Sequence, residues 1–120
     1  MDATRFNEIV EKQITWCKDI LIKKAKEYGA VDRLHNFKIA SGLQQVPKEQ
    51  ALAGMMTKHI VSIYDMSMSG KEFSAELWNE KIGDSINYLL ILRALIEEEP
   101  TKIVYDKEFK NPDLQTMPQE

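Results

Sequence analysis

The sequence is poor in the residues on which several kinds of catalytic site depend. It has a single cysteine, Cys17, so an intrachain disulfide is excluded and we expect a reducing compartment, the cytoplasm. Its two histidines, His35 and His59, have no evident nucleophile partner, which argues against a Ser-His-Asp hydrolase. The five glycines form no phosphate-binding loop, and no cysteine and histidine spacing of a metal site occurs.

Long apolar runs and an excess of positive charge are also lacking. The longest apolar run, 88–92, has five residues and stops at Arg93, whereas a membrane span needs about 20. Residues 1–5 lack a signal-peptide pattern. The net charge of -3 disfavours nonspecific binding to DNA or RNA. With 120 residues and 43% hydrophobic content, we expect one domain with no membrane contact.

Apolar residues recur at three- and four-residue spacing, which predicts helices. The predicted helices cover about 4–28, 32–40 and 47–68, and a fourth begins between residues 71 and 74 and continues to about 98. The last 20 residues contain two prolines and no apolar stripe. The sequence therefore predicts an all-α bundle of about four helices over residues 1–100, followed by an extended C-terminal tail over 101–120.

The fourth predicted helix is apolar on two faces. One face carries, at helical spacing, Trp78, Ile82, Ile86 and Leu89. The other face carries Leu77, Ile91 and Leu95. Because such a helix either lies centrally or packs against another subunit, we expect it to be the most buried element and the protein to be a homo-oligomer.

Four polar residues interrupt the second apolar face: Glu80, Asp84, Asn87 and Tyr88. Since they continue an apolar stripe, we expect them to face inward, where a charge must be paired, protonated or bound to metal. Glu80 and Asp84 lie four residues apart, a spacing at which two carboxylates can share Mg²⁺. The alternatives are an ordinary exposed acidic pair and an ion pair between Glu80 and a lysine.

A second group of polar residues lies on the third predicted helix, roughly opposite its apolar stripe: Lys58, Ser62 and Asp65. The simpler interpretation is a solvated face. The functional interpretation makes Lys58 a phosphate contact and Asp65 a further carboxylate. His59 lies at the margin of the apolar stripe and is predicted to be a hydrogen-bonded core histidine.

Side chains suited to binding are dense between residues 28 and 38: Arg33, His35, Asn36 and Lys38. Arg33 and Lys38 are candidate phosphate contacts, and Asn36 is suited to a base edge. Tyr28 or Phe37 is suited to stacking on a base. The equally favoured alternative is a helix start capped by Asp32 with Phe37 in the core.

Three stretches of the chain together resemble a protein family common in phages and prophages, grouped with nucleotide-modification-associated domains. They are KAKEYG with RLHNF (24–37), QALAGMMTKHIVSI (50–63) and EKIGDSINYL (80–89). The last stretch is also similar to the final motif of MazG-type all-α nucleoside triphosphate pyrophosphohydrolases. In those enzymes, carboxylates on helices bind Mg²⁺, and water cleaves between the α and β phosphates.

The resemblance implies particular roles and also shows a departure. Glu80 and Asp84 correspond to catalytic, metal-binding carboxylates, and Asp65 is the candidate third. Lys81 stands where the motif has a second glutamate, and Lys58 stands where the preceding helix should be acidic. Because metal-assisted hydrolysis needs the charges themselves, this departure favours binding over hydrolysis.

From these observations we expect a MazG-like bundle that binds a nucleotide. Three functions stay open: hydrolysis of a (deoxy)nucleoside triphosphate to the monophosphate and pyrophosphate with Mg²⁺, sequestration of a nucleotide or nucleotide signal, and a structural role in a phage. The expected substrate-binding residues are Arg33, His35, Asn36, Lys38, Lys58, Asn87 and Tyr88.

Overall fold

The fold was obtained as a computed structural model, which describes residues 1–28, 32–99 and 103–104. Four helices make up almost all of this part of the chain, and no strand occurs in it: α1 (Ala3–Tyr28), α2 (His35–Gln44), α3 (Lys48–Met68) and α4 (Ala75–Glu98). The prediction of a four-helix, all-α fold is confirmed. Apart from 103–104, the predicted tail lies outside the described residues. No described helix combines the length and the apolarity that crossing a membrane requires.

Local hydrogen bonds explain where α2 begins and ends, both of which differ from the prediction. Asp32 does not cap the helix, because its Oδ1 accepts a hydrogen bond from the N–H of Leu34 at 2.9 Å and forms a turn before the helix. The helix continues past Gly42 and ends at Gln45, which adopts a left-handed conformation with φ 59°. The N–H of Val46 then donates to the carbonyl of Ser41, which closes the helix end.

The apolar core lies where α2, α3 and α4 meet. Its buried members are Leu34, Phe37, Leu52 and Leu95. Helices α3 and α4 run antiparallel, since Lys48 pairs with Glu99 at one end while His59 approaches Asp84 nearer the middle. This core positions the middle of α4 opposite α3, with α2 packed across α3.

Helix α1 stands outside this core and packs against α4. Gln13 Nε2 donates to the carbonyl of Asn79 at 3.4 Å, and Cys17 Sγ lies 3.8 Å from the carbonyl of Gly83. Because both pairs are separated by 66 residues, the two helices run parallel. Between these contacts the ring of Trp16 rests on Gly83, where a side chain would leave it no room.

Only one of the two predicted apolar faces of α4 is well covered. On the second face Leu95 is buried, and Leu77 and Ile91 are half-buried. On the first face Ile82 is 37% exposed and Leu89 is 53% exposed. Trp78 and Ile86 of the first face are half-buried, so this face is partly covered, and less fully than the second face.

Candidate functional site

A cavity of about 330 Å³ lies between the last turns of α1, the start of α2, and the facing sides of α3 and α4. Its polar lining consists of Lys24, Arg33, Asn36, Asp84, Asn87 and Tyr88. Its apolar lining consists of Leu21, Phe37, Met55 and Ile91. The cavity therefore combines two cations, one carboxylate, two amides and two aromatic rings.

Helical spacing on α4 produces one wall of this cavity. Asp84, Asn87, Tyr88 and Ile91 follow one another at intervals of three, one and three residues, so their side chains share a face. The edge of Phe37 packs against the ring of Tyr88, with centroids 6.4 Å apart and an interplanar angle of 82°. The cavity wall is thus continuous with the apolar core.

Asn87 is the most unusual residue of the cavity. Its side chain is only 5% exposed, and neither Nδ2 nor Oδ1 has a hydrogen-bond partner among the described residues. Leaving a buried polar group unpaired costs about 1–3 kcal/mol. An amide both donates and accepts, so Asn87 is suited to a ligand edge on which an acceptor adjoins a donor, provided that neighbouring side chains move apart to expose its two buried atoms.

Asp84 is the only carboxylate among the described residues that line the cavity. Burial raises the pKa of this side chain above its ordinary value; the charge of Glu80 acts in the same direction, and that of His59 opposes it. His59 Nδ1 lies 3.8 Å from Asp84 Oδ2, which is too long for a hydrogen bond. The His59 ring instead packs against Tyr88, with centroids 4.9 Å apart. His59 is therefore partly buried beside two cavity residues, and among the described residues its side chain lacks the hydrogen bond predicted for it.

The structure brings five of the predicted site residues together in this cavity: Arg33, Asn36, Asp84, Asn87 and Tyr88. Four others are exposed and do not line it: His35, Lys58, Asp65 and Glu80. Glu80 is displaced because it precedes Asp84 by a helical turn, about 6 Å along α4, and so lies beyond the part of α4 that α2 faces. The side chain of Tyr28 lies outside the described residues.

Lys38 belongs to a different part of the molecule. Its Nζ lies 2.6 Å from Asp32 Oδ2 and 3.1 Å from Glu98 Oε2. Through these hydrogen bonds Asp32 and Glu98 raise the pKa of Lys38, and Lys38 lowers the pKa of Asp32. Lys38 lines a second cavity, of about 470 Å³, together with Lys48, which pairs with Glu99. Since Glu49 and Glu99 also line this cavity and both lysines are held in close ion pairs, it is the weaker candidate for an anionic ligand.

The carboxylates that the resemblance suggested for Mg²⁺ do not come together. Of the three, Asp84 alone lines the cavity, while Asp65 and Glu80 are exposed. Within the described ranges, no three side chains of histidine, cysteine, aspartate or glutamate form a group able to hold a metal. The residues described here do not fit the carboxylate set of a MazG-type magnesium site.

Lys24 is the polar residue of the described lining that the sequence did not indicate as a site residue. It follows Cys17 and Leu21 at intervals of seven and three residues, so it continues the side of α1 that packs toward α4. A lysine in line with buried apolar residues is a recognisable signal. Its significance depends on Arg33, which only the tertiary structure brings to the same cavity.

Comparison of the chain with models of protein families, with curated proteins and with solved structures gave no match. The chemistry and geometry of the cavity are therefore the observations that bear on function.

Proposed function

We propose that this protein binds a nucleotide in the cavity between α1, α2, α3 and α4. The observation that carries the proposal is the buried, unpaired amide of Asn87 in a cavity that also has two cations. Lys24 and Arg33 supply positive charge for phosphate, and Tyr88 presents an aromatic ring. Asn87 supplies a buried amide for a base edge, and Asn36 adds a second amide at the exposed end of the cavity.

Binding without cleavage agrees better with these residues than hydrolysis does. Cleavage between phosphates with Mg²⁺ requires carboxylates to hold the metal, and the described lining of the cavity offers one, Asp84. The sequence also has Lys58 and Lys81 where the similar enzymes have acids. We therefore propose that the protein sequesters a nucleotide or a nucleotide signal, a role in keeping with the resemblance to a phage family.

The first test is a thermal shift assay with purified protein and a panel of nucleotides, with and without Mg²⁺. A ligand present at a hundred times its dissociation constant stabilises the folded state by about 2.7 kcal/mol. We expect a rise in Tm that does not require Mg²⁺. If no nucleotide raised the Tm, the proposal would be wrong; a rise seen only with Mg²⁺, accompanied by release of pyrophosphate, would favour the hydrolase.

Asn87→Leu tests the observation on which the proposal rests. Because leucine removes an unpaired amide from a buried site, the free energy of unfolding of the protein without ligand should rise by about 1 kcal/mol. The same substitution should abolish the nucleotide-induced rise in Tm. Asn79→Leu is the matched control, since Asn79 lies two turns earlier on α4 and does not line the cavity. A destabilised Asn87→Leu variant that still responds fully to nucleotide would contradict the assignment.

We also propose that the protein is a homo-oligomer. Along one side of α1 four large apolar side chains are exposed by 39–59%: Phe6, Ile9, Val10 and Ile14. Gln13 lies level with Asn79, so the first two turns of α1 extend beyond the start of α4 at Ala75. An apolar stripe that no described part of the chain covers is suited to contact with another subunit.

A further inference from the structure

We propose that the nucleotide held in this cavity is a nucleoside monophosphate, bound with its base inward and its phosphate at the mouth. This inference rests on the proposed function and concerns the phosphorylation state of the ligand and its orientation in the cavity. Both follow from the positions of the charged residues and of Asn87 in the cavity.

The orientation follows from the exposure of the lining residues. Asn87, the unpaired amide, is almost fully buried, whereas Lys24 and Arg33 are exposed residues. The buried amide of Asn87 therefore marks the inner end of the cavity, and the two cations lie with the exposed Asn36 where the cavity meets solvent. A nucleotide has a planar, polar base at one end and an anionic phosphate at the other. It complements this cavity only when the base lies at the inner end and the phosphate lies at the mouth.

The number of phosphates follows from charge. A single phosphate ester carries a charge of about -1.5 to -2 at pH 7. In the described lining Lys24 and Arg33 are the cations and Asp84 is the carboxylate, so with Asp84 ionised the lining carries one net positive charge, which suits a single phosphate. Each further phosphate would add negative charge without another cation among the described lining residues, and Asp84 would repel it.

The surroundings of the two cations agree with a single phosphate. Arg33 makes no ion pair within the described part of the chain, so its guanidinium is available for a bidentate contact. Lys24 Nζ lies 3.9 Å from Glu27 Oε1, which places another carboxylate beside the mouth. The volume of about 330 Å³ is at the small end of the range of roughly 300–1,000 Å³ typical of ligand cavities.

The test is calorimetric titration of the full chain with a nucleoside, its monophosphate and its triphosphate, for each of the four common bases and without Mg²⁺. We expect the monophosphate of the preferred base to bind about tenfold or more tightly than the nucleoside, the effect of a charge-assisted contact. We expect the triphosphate to bind more weakly than the monophosphate. A triphosphate that binds as tightly as the monophosphate, or more tightly, would overturn this inference and leave the proposed function standing. Absence of binding by the whole panel would overturn both.

Lys24→Ala identifies the cation that contacts the phosphate, and Lys23→Ala is a closely matched control. Both lysines lie in α1, and each has its Nζ 3.9 Å from Glu27, but only Lys24 lines the cavity. Lys24→Ala should weaken monophosphate binding about tenfold or more and change nucleoside binding little. Lys23→Ala should leave both affinities unchanged. Equal losses in the two variants, or an equal loss for nucleoside and monophosphate in Lys24→Ala, would contradict the phosphate contact.

Discussion

Replacing Gly83 with alanine should loosen the contact between α1 and α4. A Cβ at this position would lie 2.0 Å from Trp16 Cζ3 and 2.4 Å from Cε3. Carbon atoms in favourable contact are about 3.5–4.0 Å apart, so the indole must move by about 1.5 Å or more. Because the ring lies between α1 and α4, this movement displaces one helix from the other or forces the tryptophan into a poorer rotamer.

Two opposing contributions decide the size of the effect. Alanine is favoured over glycine within a helix by about 0.8–1 kcal/mol. Forcing an extra carbon into a packed contact costs about 1–3 kcal/mol, and this overlap is severe. We therefore expect Gly83→Ala to lower the free energy of unfolding by about 1 kcal/mol, which lowers the Tm by about 4 °C.

Gly54→Ala provides the matched control, because it makes the same change within α3. A Cβ at Gly54 would have no atom within 4 Å, so only the helix preference remains. This variant should be stabilised by about 0.8–1 kcal/mol, with the Tm raised by about 4 °C. Thermal unfolding followed by circular dichroism would then separate the two variants by about 8 °C.

A substitution at Trp16 tests whether the clash with its ring is what destabilises the Gly83→Ala variant. In a Trp16→Leu background the clash is removed, so Gly83→Ala should become neutral or stabilising, and the double-mutant cycle should show a coupling of about 1 kcal/mol or more. If Gly83→Ala raised the Tm of the wild-type protein as Gly54→Ala does, the close packing of Trp16 on Gly83 would be refuted. Because α1 carries Leu21 and Lys24 into the cavity, Gly83→Ala should also weaken nucleotide binding.

Three further predictions concern pH and assembly. Burial raises the pKa of the Asp84 carboxyl in the folded protein above its ordinary value of 3.8. The protonated carboxyl therefore stabilises the folded protein fully below pH 3.8, and this stabilisation is lost as the pH rises through the raised pKa. Asp84→Asn should therefore raise the Tm at neutral pH, with the gain fading in acid; a lower Tm at neutral pH would mean that the ionised carboxylate is stabilised by its partners. Lys38 lowers the folded-state pKa of Asp32 below 3.8, so that stabilisation is present above this pH and is lost as the pH falls through the lowered value. Asp32→Asn should lower the Tm at neutral pH and leave it unchanged in strong acid. A fall in Tm of the same size at every pH would mean that only the hydrogen bond from the N–H of Leu34 to Asp32 stabilises the protein. Light scattering at micromolar concentration should give a mass above 13.9 kDa that Val10→Glu reduces, and a wild-type protein of monomer mass would rule out the homo-oligomer.

The sequence was sufficient for the four helices because the signals that define them are local. Apolar spacing and capping residues act over one or two turns, so α1, α3 and α4 lie close to the predicted ranges. Helix α2 was less well predicted because Asp32 had two local alternatives, and the turn hydrogen bond to Leu34 replaced the helix cap. The interruption of an apolar stripe also pointed correctly to Asp84, Asn87 and Tyr88 as inward-facing residues.

The tertiary structure alone decided which of these residues meet. Periodicity defines the residues that share a face of a helix, but it does not define which neighbour covers that face, or along what length. For that reason Glu80 shares a side of α4 with Asp84 yet lies outside the cavity, and Lys24 reaches the cavity although 60 residues separate it from Asp84. The sequence determined the helices and their polar interruptions, which depend on neighbours along the chain. The cavity depends on how α1, α2 and α3 pack around α4, which is a property of contacts between distant residues.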